Sequence, residues 1–203
     1  MTAKRKIILS LSVSLDGCFE GPERQIDWHR VDDELHQHFN DELRTMGAFM
    51  EGRITHELMA GFWPTADADP SASAPVAEFA RIWREMPKIV FSRTLRASDA
   101  TEWNTVIKRE VVAEEIEAFK ALPGGDLALG GADLAATFRR HDLIDEYRLY
   151  VHPVMLGTGR PLFRPDDPAP ASAGGPRELR LVETRTFGNG VVLLRHERVR
   201  ASG

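Results

Sequence analysis

Cysteine is almost absent from this 203-residue chain: Cys18 stands alone. One thiol cannot close an intramolecular disulfide or build a cysteine metal cluster, and the expected compartment is the cytoplasm. Long apolar runs are missing too, and none approaches the ~18 residues of a transmembrane helix. Long basic runs are missing, and the formal net charge is −5. That balance argues against a nucleic-acid binder or an anionic-membrane binder. No internal repeat is visible. The start "MTAKRKIILSLSVSLDG" joins basic residues to an apolar stretch, as a signal peptide does. Its apolar residues alternate with serines and run into Asp16-Gly17 without a small-residue cleavage pattern, so it reads as a first strand.

What remains is an ordinary globular composition, long enough for one domain (1–203) with a real core. Lys6 to Val13 reads as a buried strand and Ser14 to Trp28 as a long loop. Asp33 to Met46 reads as a helix, with Leu35, Phe39, Leu43 and Met46 on one face and Asp32 or Asp33 as its cap. A short strand at Ala48-Phe49-Met50, a helix at Ile54 to Ala60, a surface loop at Pro64 to Pro75 and a helix to Glu85 follow. Further strands are expected at Lys88 to Ser92, Thr105 to Ile107, Leu127 to Gly130 and Glu146 to Val151, with helices at Val112 to Leu122 and Leu134 to His141. Pro165 to Pro176 reads as a Pro/Ala/Gly loop. "LRLVETRTFGNGVVLLRHERV" alternates around Gly188-Asn189-Gly190, which signals a hairpin. The pattern predicts one α/β sheet, mostly parallel, with helices on both faces and an antiparallel edge.

Three segments place small or basic groups just after predicted strands, where open α/β sheets bind ligands. In "MEGRITHE", Gly52 ends a strand and Thr55 begins a helix whose free N–H groups favour an anion, with Arg53 adding charge. Taken alone, the segment reads first as a plain cap with a solvated arginine. In "FSRTL", Ser92 can donate to a phosphate and Arg93 can grip it with two bonds, or the pair simply ends a strand. In "LGGADL", Gly130-Gly131 can turn N–H groups toward a pyrophosphate, or make a tight turn. The GxGxxG dinucleotide fingerprint is missing.

In family order, "LSVSLDG", "MEGRITHE", "IVFSRTL", "LALGGADLAATF" and "LIDEYRLYVHPVMLGTGRPLF" resemble the dihydrofolate reductase fold over nearly the full length. They are most similar to the branch of the C-terminal reductase domain of the riboflavin-biosynthesis deaminase-reductase. The resemblance implies a three-layer α/β/α fold, NADPH as cofactor and a homodimer paired through its sheets. It implies that Gly52, Arg53 and Thr55 meet cofactor phosphates and that Ser92 and Arg93 hold the adenosine 2′-phosphate. Gly130, Gly131 and Ala132 would cradle the pyrophosphate with Leu134 nearby, and Val13 would border the nicotinamide. Leu15, Asp16 and Gly17 would form a mobile loop beside the reaction site. A hydride would pass to a small heterocyclic (pteridine- or pyrimidine-like) or carbonyl substrate. The fold also suits a nucleotide-binding protein without catalysis.

Folate reductases carry an acid near the start of the first helix, where Asp32, Asp33 and Glu34 crowd this chain. Asp33 is a candidate proton relay or a helix cap, and Asp16 a second candidate or part of an Asp-Gly turn. Trp28 could stack on a flat substrate or sit in the core. The zinc-deaminase signature that usually accompanies the riboflavin branch is missing. No cluster of bases for a substrate phosphate stands out in the loop after the first strand. In "PVMLGTGRPLF", Leu162 and Phe163 read as core plugs. His29, His36, His38 and His56 lack metal-ligand spacing, so no metal is expected.

Overall fold

A computed structural model describes residues 4–96, 98, 103–164 and 177–199. The expected loop Pro165–Pro176 lies outside them. Five parallel pairings build the main sheet. Strand β1 (Ile7–Ser14) lies between β6 (Asp126–Gly130) and β7 (Glu146–His152). Strand β3 (Met46–Gly52) follows β6, and β4 (Lys88–Phe91) and β5 (Thr105–Lys108) extend that edge. On the other side, β10 (Val192–Arg198) and β9 (Leu179–Thr186) add antiparallel strands, giving the order β5-β4-β3-β6-β1-β7-β10-β9. The expected α/β sheet with an antiparallel edge is therefore the observed one.

Side-chain parity splits β1 into two faces, with Ile7, Leu9, Leu11 and Val13 on one and Ile8 and the serines on the other. Ile7 and Leu9 point with Met50, Leu127 and Leu129 toward Ile116 of α4 (Ala113–Lys120) and Phe138 of α5 (Ala132–Arg140). The opposite face meets α1 (Asp33–Leu43), whose Leu35 and Phe39 pack on Tyr150 and Leu193. Asp32 caps α1, accepting the Leu35 N–H at 3.0 Å. The closing hairpin turns at Gly190 (φ +85°), with Phe187 and Val191 bonded across it. Leu162 is buried as expected, but Phe163 is half exposed and sits under the Arg139 guanidinium instead of plugging the core.

Most element ends shift by one or two residues from expectation, and four differences have a clear cause or consequence. The first helix stops at Leu43 because β3 already starts at Met46 and pairs with Asp126. The long loop after β1 contains β2 (Cys18–Glu20), paired with β8 (Arg160–Pro161) in a separate two-stranded sheet. The helix α2 begins one residue early, at Arg53–Ala60. The surface loop holds a 3-10 helix, Trp63–Ala68, because Trp63 packs against Phe79 of α3 (Ala74–Glu85) at 4.2 Å between ring centres. No helix among the described residues is long and apolar enough to cross a membrane.

Candidate functional site

A cavity of about 740 Å³ opens along the sheet face that α1 and α2 cover, at the C-terminal ends of β4, β3 and β6. The structure brings the three segments singled out from sequence to one wall of it: Gly52, Arg53 and Thr55; Ser92 and Arg93; Gly130, Gly131, Ala132 and Leu134. They meet because β4, β3 and β6 are neighbours in parallel register, so their last residues finish side by side. Contacts lock two of the loops together. A Cβ added to Gly52 would touch the Leu134 Cβ at 4.0 Å, and one added to Gly131 would strike the Thr55 hydroxyl oxygen at 2.5 Å. Gly131 has φ +87°, which glycine alone adopts at low cost.

Both helices that start here are open at their N-termini. Gly52 caps α2 and Gly131 caps α5 without any side-chain bond, so their first N–H groups have no partner within the helix. Ser92 is buried and its oxygen accepts the N–H groups of Thr94 and Leu95 at 3.2 and 3.0 Å. Its own hydrogen can go to the Thr94 hydroxyl, 3.4 Å away, or to a ligand. Arg109 braces this turn by donating to the carbonyls of Ser92 and Leu95. Arg93 is exposed and makes no ion pair among the described residues, whereas Arg53 is paired with Glu57 at 2.7 Å. Asp133, an acid in the first turn of α5, is neutralised by Arg160 and Arg164, each at 2.9 Å. Open N–H groups, a hydroxyl and an exposed arginine with no ion pair among the described residues fit the phosphates of a dinucleotide.

The remaining wall was not anticipated from sequence. Ser10 and Ser12 project from β1, Tyr150 lies beside them, and Phe39, Leu43 and Met59 close the apolar side. The alternation "LSLSVS" carried the signal: serines recur on one face of a strand whose other face is core. The Tyr150 hydroxyl contacts His38 Nε2 at 3.1 Å, and burial pushes Tyr150 up to about 12. Arg148 also lines the cavity but is held by Glu146 at 2.7 Å and by Glu42; burial and the nearby Arg195 pull it down to about 10. Glu20 pairs with Arg160, fastening the β2–β8 sheet over the start of α5.

Val13, Leu15, Asp16, Gly17, Trp28 and Asp33 lie outside the cavity wall. Val13 is buried against Ala132 and Leu162. Asp16 joins two loops: it accepts from Ser14 Oγ at 2.6 Å, Gly157 N at 2.8 Å and Leu156 N at 3.2 Å. These bonds hold its carboxyl down to about 2. Leu15 is exposed beside it, and Gly17 takes φ +81° in the same turn. Asp33 is exposed in the first turn of α1, one residue past the true cap. Trp28 donates to the Gln25 carbonyl and stands edge-on to His29 and His152. His29 reaches the cavity, and its ring stacks on His152 at 5.2 Å. Among the described residues no group of three or more His, Cys, Asp or Glu could hold a metal ion.

A mostly parallel sheet with an antiparallel C-terminal edge, and a deep cleft at its strand ends, defines an α/β ligand-binding architecture. The chain belongs to the family of the RibD C-terminal domain, whose model matches residues 5–193. It is 35% identical over 190 residues to the uncharacterized protein YyaP of Bacillus subtilis (strain 168), covering 93% of each chain. Among solved structures it is similar to a pyrimidine reductase-like protein from Corynebacterium diphtheriae (TM-score 0.60, 12% identity, 97% of this chain and 93% of that one). It is also similar to the diaminohydroxyphosphoribosylaminopyrimidine deaminase/5-amino-6-(5-phosphoribosylamino)uracil reductase of Thermotoga maritima (TM-score 0.64, 13% identity), covering 97% of this chain and 57% of that one. At such identities the likeness concerns the fold.

Proposed function

We propose that this protein is a cytoplasmic, NADPH-dependent reductase acting on a small heterocyclic, pteridine- or pyrimidine-like, or carbonyl substrate. The observation that carries the reading is the meeting of Gly52-Arg53-Thr55, Ser92-Arg93 and Gly130-Gly131-Ala132 on one wall of a cavity that Phe39, Leu43 and Met59 close on one side. When bound, the reduced nicotinamide supplies the hydride. The protein's share is binding and orientation. The open starts of α2 and α5 hold the pyrophosphate, Ser92 and Arg93 grip the 2′-phosphate, and Leu134 packs beside them. The apolar side chains of α1 and α2 exclude water from the reacting end. Asp16 shapes the loop after β1 by clasping it to residues 156–157.

Titration of NADPH and NADH, followed by protein fluorescence, tests this. Binding of NADPH in clear preference to NADH is expected; binding of neither rejects it. We further propose a homodimer formed on β9. All eight of its residues are exposed among the described residues, including Leu181 and Val182, which makes it a bare sheet edge. Sedimentation velocity showing only monomer at micromolar concentration rejects that part.

A further inference from the structure

We propose that Arg160 is a further ligand-binding residue of this cavity: its Nη2 group waits on Asp133 and passes to a diphosphate that arrives at the start of α5. The proposal rests on the reductase reading for the cofactor's diphosphate. It gives a part to the segment "PVMLGTGRPLF", which that reading leaves without one.

The position of Arg160 is built from the chain upward. A Cβ on Gly159 would stand 2.7 Å from the Glu20 carbonyl oxygen, so glycine is what lets β8 lie this close to β2. Leu162, two residues on from Arg160, is buried against Val13 and against Ala132, the first residue of α5. Its N–H donates to the Gly17 carbonyl at 2.9 Å. The ribbon of β2 and β8 is thereby seated on the helix start, where Arg160 and Asp133 both line the cavity.

The two arms of the guanidinium are held differently. Nη1 donates to Glu20, a buried carboxylate, and the cation lies over the Phe19 ring at 5.1 Å. Nη2 donates to both oxygens of Asp133, at 2.9 and 3.1 Å. That carboxylate is 62% exposed. An ion pair so well hydrated is weak, whereas a diphosphate brings more charge and several acceptor oxygens. Arg164 also donates to Asp133, at 2.9 Å, so the carboxylate keeps a cation when Arg160 lets go. The Glu20 arm stays fixed and only Nη2 changes partner. The helix start needs such a charge. Its first turn carries an acid, Asp133, and no basic residue of its own, and its cap, Gly131, offers no side chain.

ADP and AMP share their adenosine and differ by one phosphate, and serve as probes beside NADPH in isothermal titration calorimetry. Wild type should bind ADP more tightly than AMP. Arg160→Gln should weaken ADP about tenfold, the loss of one charge-assisted contact, and AMP by less. Asp133→Asn removes two ion pairs, yet it should tighten ADP about threefold, because Nη2 no longer has to be taken from a carboxylate. A merely structural part for this cluster gives the opposite sign. With Arg160→Gln and Asp133→Asn combined, the gain should vanish. Should Arg160→Gln fail to fold, Asp133→Asn alone decides, since it leaves Arg160 and Glu20 in place. Unchanged or weaker ADP binding in Asp133→Asn overturns the proposal. A gain that persists without Arg160 also overturns it, making Asp133 a bare repulsive charge, and so does wild type that binds no ADP. If ADP follows the expected pattern and NADPH fails to bind, the reductase reading falls and this inference stands. If NADPH binds and Asp133→Asn holds ADP no more tightly, the reverse holds.

Discussion

Gly131 and Thr55 share a space with no room for a methyl group: a Cβ on Gly131 would stand 2.5 Å from the Thr55 hydroxyl oxygen. Its φ of +87° strains any other residue as well. Gly130 is different. Its added Cβ would meet only the Thr55 methyl group, at 3.9 Å. The two glycines can therefore be told apart by experiment. Gly131→Ala should lose about 1–3 kcal/mol of stability in chemical denaturation. Gly130→Ala should stay within about 1 kcal/mol of wild type yet weaken NADPH binding about tenfold, because the methyl group enters the space that the proposed function gives to a pyrophosphate. Full NADPH affinity in Gly130→Ala would leave the pair a turn and nothing more.

Arg93 offers a cleaner probe, since no described residue competes for its guanidinium. Arg93→Ala should reduce the ratio of NADPH to NADH affinity by about tenfold or more, the loss of one charge-assisted phosphate contact. NADH affinity should not move. Stability should change by less than about 0.5 kcal/mol, as for an exposed site. An unchanged ratio would take the 2′-phosphate away from this arginine.

Asp16 makes a pH prediction. Its carboxyl falls from an ordinary 3.8 to about 2, chiefly through the Ser14 hydroxyl and then the Gly157 and Leu156 N–H groups. A depressed folded pKa means that the carboxylate's contribution is present above about pH 4 and is lost as pH falls through about 2. Asp16→Asn should therefore melt below wild type at pH 6. That difference should shrink between pH 4 and pH 2, as followed by circular dichroism. A constant gap over this range would mean that the bonds to the loop at 156–157 do not depend on charge.

The parallel sheet was legible because its strands are short apolar runs with polar ends, and the closing hairpin because Gly188-Asn189-Gly190 interrupts strict alternation. The wall where Gly52, Ser92 and Gly130-Gly131 meet was legible for a related reason: its residues lie next to strand ends in the chain, so local sequence announces them. The facing wall was not. Tyr150, His38 and Ser10 are separated by up to 140 residues, and only the pairing of β1 with β7 and the docking of α1 bring them together. Phe163 was misjudged because hydrophobicity alone cannot separate a buried phenyl ring from one beneath an arginine. Val13 is a strand residue whose parity sends it to Ala132 and Leu162 instead of the cavity, and parity depends on a register that the sequence leaves open.

The stacked pair His29 and His152 should make the protein acid-sensitive well above the range of its carboxylates. Burial lowers both rings from 6.5 to about 4, with His152 further depressing His29, and Arg30 further depressing His152. His152 Nδ1 accepts the Arg30 N–H at 3.0 Å, so its proton rests on Nε2. Neither Nε2 has a partner among the described residues. Both rings are thus neutral when folded and take up protons on unfolding between about pH 6.5 and 4. Stability should fall as pH falls through that window, by up to about 1.4 kcal/mol per pH unit for each ring. His29→Phe keeps a flat ring against His152 and removes one titrating group. Urea denaturation at half-unit steps from pH 4 to pH 8 should show a shallower slope in the variant, with the two curves parallel above pH 7. Parallel curves throughout would mean that the His29 ring is charged in the folded state.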